Sequence, residues 1–169
     1  MTLRTAVALF VLAGLSLPAP DAVAGQKYGV TVTPEKGVDY TTFKTYSWTD
    51  GWPALEKTVD GYVKAALGRE LGGVGLKQST AGPGDVLITY YTVRRTDIDA
   101  KAKQPPPGVA EAQQEVGTLV LVFLEPGTRR RLLTMRTDKP VDLDPSKREA
   151  IVNEAVTELF AKYPTRTKR

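Results

Sequence analysis

The sequence predicts an α+β fold: a two-layer sandwich in which a mainly antiparallel sheet of about five or six strands carries two helices on one face. Three features support this. Residues 117–137 read as a β-hairpin: β-branched and large apolar residues over 118–125 meet Pro126-Gly127, which presets one φ and tolerates a positive one, before a second strand over 132–137. Residues 85–96 form another strong strand, apolar on both faces at first and polar toward its end. Two helical stripes, starting near Pro53 and near Ser146, supply the apolar faces that such a sheet needs.

Taken in order, the chain opens with Arg4, an apolar run over 6–17, then Pro18, Pro20 and Ala22-Val23-Ala24. Charge, apolar run and small-residue site in that order predict a signal peptide over residues 1–24, cleaved after Ala24, with 25–169 as one α+β domain. A spanning helix needs roughly 20 apolar residues, and this run is shorter and ends in prolines, so no transmembrane span is expected in the mature chain.

Tyr28, Val30 and Val32 then alternate with Gly29, Thr31 and Thr33 ahead of Pro34, the period of a half-buried strand. Residues 43–48 read as a second strand with Tyr46 and Trp48 on one face, and Asp50-Gly51 turns the chain. Pro53 suits a first helical position, and Leu55, Val59, Tyr62, Val63, Ala66, Leu67 and Leu71 fall on one stripe. Gly72-Gly73 is expected to end this helix as a left-handed cap. The glycine run there is no phosphate loop, because such a loop precedes a helix and this one follows it. A short strand over 74–78 and a loop at Gly82-Pro83-Gly84 lead to the strand at 85–96. Residues 97–116, centred on Pro105-Pro106-Pro107-Gly108, are expected as a long exposed loop or an extended hairpin tip. After the hairpin, Ser146 and Glu149 match a capping box, and Val152, Ala155, Val156, Leu159, Phe160 and Tyr163 form one stripe closed by Pro164.

The chain has no cysteine and no histidine, and its 23 basic and 19 acidic residues leave a net charge of +4. Disulfides, Cys/His zinc sites and Ser-His-Asp triads are therefore excluded by inventory. No metal, cofactor or catalytic centre is expected, and the chain reads as a non-enzyme. With no lipidation cysteine at the leader junction, a periplasmic or secreted location is expected. The mild basic excess suits an envelope protein or an anionic envelope component as partner, and falls short of the dense basic stripe of nucleic-acid binders.

The candidate binding surface is Trp48, Trp52 and Lys44, as the lining of a sugar or lipid groove, and Arg129, Arg130 and Arg131, as a clamp for phosphate or carboxylate. The blander alternatives are an aromatic seal at the core edge and a solvated hairpin tip. Asp97, Asp99, Glu111 and Glu115 offer oxygen ligands or an acid-base pair, against a reading as solvated loop charges. Adjacent Tyr90 and Tyr91 point to opposite faces of a strand, one to the core and one to the surface.

Three segments carry a family resemblance: Asp39-Tyr40 with Phe43-Lys44-Thr45-Tyr46-Ser47-Trp48, then Asp85-Val86-Leu87-Ile88-Thr89-Tyr90-Tyr91, then Gly117-Thr118-Leu119-Val120 and the turn after it. By these, the chain resembles the bacterial envelope proteins of domain-of-unknown-function family 4136, over nearly the whole mature length. It departs from that family in lacking a lipidated cysteine and in having Met135-Arg136 where relatives usually carry a tryptophan before the arginine. The resemblance implies an α+β envelope domain without assigned activity and carries over no catalytic residue. The expected function is a non-enzymatic binding or interaction module, with a carrier of a small amphiphile in a sheet-helix groove as the alternative.

Overall fold

The described residues form six strands, of which the two long arms at the centre are the best paired. In order the elements are β1 (Gly29–Pro34), β2 (Thr45–Trp48), α1 (Lys57–Gly73), β3 (Lys77–Gln78), β4 (Val86–Ile98), β5 (Gln113–Leu124), β6 (Arg131–Pro140) and α2 (Arg148–Ala161). They are seen in a computed structural model that describes residues 28–99, 101–142 and 144–166. The leader expected over 1–24 lies outside the described residues. The strands form one sheet in the order β1-β6-β5-β4-β2-β3, antiparallel from β1 to β4, with β2 parallel to both β4 and β3. The parallel step follows from connectivity, since α1 carries the chain over the sheet between β2 and β4.

Register sets which side chains share a face. Val32, Met135, Leu121 and Tyr90 form one row across the strands, and Leu133, Phe123 and Ile88 form the next. These rows lie under both helices. Val63, Ala66, Leu67 and Leu71 of α1 and Val156, Leu159 and Phe160 of α2 join them in a single buried cluster, so both helices cover the same side of the sheet as expected. Burying each larger side chain contributes about 1.5–3 kcal/mol, which makes this layer the main support of the fold. Tyr163 lies at its centre, 1% exposed, stacked 6.0 Å from Phe160 and in contact with Tyr40 and Phe123. Burial pushes its phenol up to about 12.

The structure corrects several boundaries. Helix α1 starts at Lys57 rather than at Pro53, and Leu55 is fully exposed instead of lying on the buried stripe. The cap of α1 is made by Gly75, not Gly72-Gly73: Gly75 has φ +89°, its N–H donates to the Gly72 carbonyl and the Leu76 N–H donates to the Leu71 carbonyl. That pairing is a Schellman motif, and Leu71 and Leu76 are both buried beside it. Ser146 does not form the capping box with Glu149. Instead Asp144 accepts hydrogen bonds from the Ser146 N–H and hydroxyl, starting a 3-10 turn (Pro145–Lys147) ahead of α2. Of the two alternatives for 97–116, the hairpin tip is the one formed: β4 and β5 stay paired out to Ile98 and Gln113. The tip beyond contains the proline run.

Candidate functional site

The residues singled out from the sequence are placed at separate points. Trp48 lies on the helix-covered face, packed edge-on against Tyr46 and Tyr90. Trp52 pairs with Tyr91 on the reverse face and is 70% exposed, so the two indoles stand on opposite sides of the sheet and do not line one groove. Lys44 precedes β2, where its ammonium donates to the Thr41 carbonyl and its backbone N–H to Asp85. Asp85, aligned with that strand end by three hydrogen bonds, is held below the usual carboxylate range by the Lys44 and Thr45 amides. Arg129, Arg130 and Arg131 crowd the exposed hairpin tip. There Arg130 pairs with Glu125, while Arg129 reaches Thr49 just past Trp48.

The carboxylates of the β4–β5 tip do not gather either. Asp97 on the reverse face accepts from Arg95 and from the Tyr28 hydroxyl, whereas Glu115 on the covered face accepts from Arg94 and Thr96. Asp99 accepts from the Lys101 amide, and Glu111 is exposed. Among the described residues no group of three His, Cys, Asp or Glu could hold a metal ion. Tyr90 and Tyr91 divide as expected: Tyr90 is buried and donates to Asp60 at 2.6 Å, while Tyr91 is half-buried on the other side. Burial, with Asp60 beside it, raises the Tyr90 phenol pKa strongly.

What sequence reasoning missed is a cleft. Between the start of α1, the first two turns of α2 and the ends of β4–β6, the covered face is not filled, and a cavity of about 350 Å³ opens to solvent. Val59 and Val63 form one wall, Ile151, Val152, Ala155 and Val156 the other, and Leu119 and Thr137 the floor. The mouth is framed by the exposed Leu55 and by Glu56, Arg94, Lys139 and Arg148. Its charges are paired across elements. Glu56 meets Arg94 and Arg148, Arg94 also meets Glu115 at 2.8 Å, and Lys139 holds Glu154 and Glu158 at 2.9 Å each. Burial works against the Lys139 charge, yet the two glutamates keep its ammonium above the usual value. Residues 53–56 are tied down by Asp60, which accepts from the Ala54 N–H as well as from Tyr90. Burial opposes the Asp60 charge, but these bonds and Lys64 lower its pKa overall. The sequence signal of the cleft is side-chain size: the second stripe begins with Val152, Ala155 and Val156 and ends with Leu159, Phe160 and Tyr163.

Behind the cleft, on the reverse face, a polar network ties the same strand ends together. Asp138, 8% exposed, accepts a two-pronged pair from Arg136 at 2.7 and 2.8 Å, a bond from Arg95 at 2.8 Å and one from Thr118 at 2.6 Å. Arg136 above all, with Thr118 and Arg95, holds the Asp138 carboxyl well below the usual range despite its burial. Arg95 extends the chain of contacts to Asp97, which Tyr28 and Gln114 cover.

No helix among the described residues is long and apolar enough to cross a membrane. No functionally curated protein matches the chain. Among solved structures, the chain is similar in fold to a PDZ domain protein from Parabacteroides distasonis, at 16% identity and a TM-score of 0.56 over 81% of this chain. The match spans only 35% of that longer protein. It is also similar to PelC from Paraburkholderia phytofirmans, a dodecamer, at 7% identity and a TM-score of 0.52, covering 80% of this chain and 96% of that one. Identities this low show a common fold alone. The sequence itself is matched over residues 30–165 by a single family model, and on that ground the chain belongs to the family described as a domain of unknown function (DUF4136).

Proposed function

We propose that this protein is a non-enzymatic binding module of the bacterial envelope that holds the apolar part of a small amphiphile in the cleft between sheet and helices. The cleft is the observation that carries the reading. Its volume, about 350 Å³, sits at the lower end of the roughly 300–1,000 Å³ typical of small-molecule sites, and its walls are hydrocarbon with few polar groups. An apolar group moved from water onto such walls gains roughly 0.8 kcal/mol per buried methylene, so a short alkyl chain suffices for useful affinity. The envelope location rests on the leader-like order of charge, apolar run and Ala22-Val23-Ala24, and a periplasmic or secreted form on the absence of cysteine.

Titration with the neutral fluorophore N-phenyl-naphthylamine tests the proposal. Fluorescence should rise on mixing with the protein and should fail to rise with Ala155→Phe, whose ring fills the cleft. No rise with the native chain, or an equal rise with both, would overturn it. A second reading, docking of an envelope protein, is favoured by the reverse face, where Trp52 and Val93 are exposed beside Tyr91. The arginine tip adds a surface for an anionic envelope component.

A further inference from the structure

We infer that the cleft is selective for amphiphiles with a carboxylate head, which binds Arg94 and Arg148 in the place that Glu56 now occupies. The inference rests on the cleft being a binding site, and adds the chemistry of its ligand. Glu56 immediately precedes α1, and its side chain makes no capping bond to that helix. It reaches over the cleft mouth instead, where one carboxylate oxygen meets Arg148 of α2 and the other lies 3.7 Å from Arg94 of β4. Two guanidinium groups from different elements therefore converge on one carboxylate at the top of an apolar cavity. A carboxylate is the shape and charge that such a pair accepts, since each guanidinium offers planar donors that match its two oxygens.

The resident carboxylate is easy to displace. Glu56 is 48% exposed and sits on the short segment ahead of α1, and half-exposed ion pairs are weak because water and salt compete for both partners. Leu55 next to it is fully exposed at the mouth, an apolar side chain with nothing over it until a ligand arrives. Among the described residues, Glu56 is the one acidic partner of Arg148, so an exchanging head leaves no other pair to break there. Arg94 keeps its bond to Glu115 through Nε and turns Nη1 to the head, whereas Lys139 is a poorer anchor, its single ammonium being held by both Glu154 and Glu158.

Competition of dodecanoate and dodecanol against the neutral fluorophore separates the head from the tail. Dodecanoate should bind at least about tenfold more tightly than dodecanol, a margin typical of a charge-assisted contact. Arg148→Gln should abolish that margin by weakening dodecanoate, and its continued binding of dodecanol shows that the variant is folded. Glu56→Gln should tighten dodecanoate several-fold by clearing the arginines, more than it changes dodecanol, and added salt should narrow the margin. Equal affinities for the two ligands, or weaker dodecanoate binding by Glu56→Gln, would overturn the head-group inference while leaving the apolar cleft standing. Binding of neither ligand would overturn both readings.

Discussion

The two ends of the covered face use the same sheet and the same pair of helices, yet they are filled differently. At the end nearest the β5–β6 turn, Tyr40, Phe43, Phe123, Phe160 and Tyr163 make a chain of ring contacts 5.9 to 6.2 Å apart, and the layer is closed. At the other end Val59, Val63, Val152 and Ala155 face Leu119 and Thr137, and these smaller side chains do not span the gap. Helix spacing is set by the large residues at one end, because a rigid helix cannot approach more closely at one end without tilting. The open end is instead held from behind. Its strands are tied by Asp138, Arg95, Arg136 and Thr118 on the reverse face, where apolar packing would otherwise have to serve. One end is stabilised by burial and the other by charge-assisted hydrogen bonds, which leaves the apolar walls there unfilled.

The sharpest way to break this contrast is Phe160→Ala, expected to cost about 3–5 kcal/mol in denaturant unfolding, against about 1 kcal/mol for Val152→Ala at the cleft. Equal losses would mean that the two ends are packed alike. Next comes acid. The Asp138 pKa is lower in the fold than its unfolded value near 3.8, so its ion pairs stabilise above that pH and their contribution is lost as pH falls through the folded pKa. Asp138→Asn should cost about 1–3 kcal/mol at neutral pH, toward the low end because Arg136 is half exposed, and should flatten the acid limb measured down to about pH 3.

Tolerance of added volume sharpens the comparison further. A Cβ on Gly84 would stand 2.6 Å from the Tyr46 backbone, so Gly84→Ala should cost about 1–3 kcal/mol. Ala155→Phe, entering open space, should change stability by less than about 1.5 kcal/mol by the same measurement. The smallest effect is expected at Thr137, whose enclosed hydroxyl has no hydrogen-bond partner among the described residues: Thr137→Val should be neutral or stabilise by up to about 1 kcal/mol. A clear loss there would show that the hydroxyl is bonded in solution.

How much of this was legible depended on range. The hairpin, the β4 strand and the α2 stripe were readable because each is a local pattern of period 2 or 3.6. The opposite fates of Tyr90 and Tyr91 were readable for the same reason. The true cap of α1 was not, since several glycines follow Leu71 and only the chain path into β3 selects Gly75 for positive φ. Ser146 was misassigned because Asp144, two residues earlier, takes the capping role first. The Trp48 and Trp52 groove failed on topology: the chain crosses to the reverse face between them when Trp52 bridges to Tyr91. Nothing local could have shown that Glu56 meets Arg94 and Arg148, which lie far along the chain on other elements.

Local chemistry by itself determined the layers: which segments pleat, which coil, and that two apolar stripes need one sheet to cover. The absence of histidine and cysteine likewise excludes Cys/His metal sites, disulfides and Ser-His-Asp triads by inventory. Only the tertiary structure decided where the layers fail to meet, because a gap is a property of volumes summed across β4, β5, β6, α1 and α2 rather than of any one stretch. The same holds for the arginines at its mouth, whose convergence depends on strand register and helix placement together.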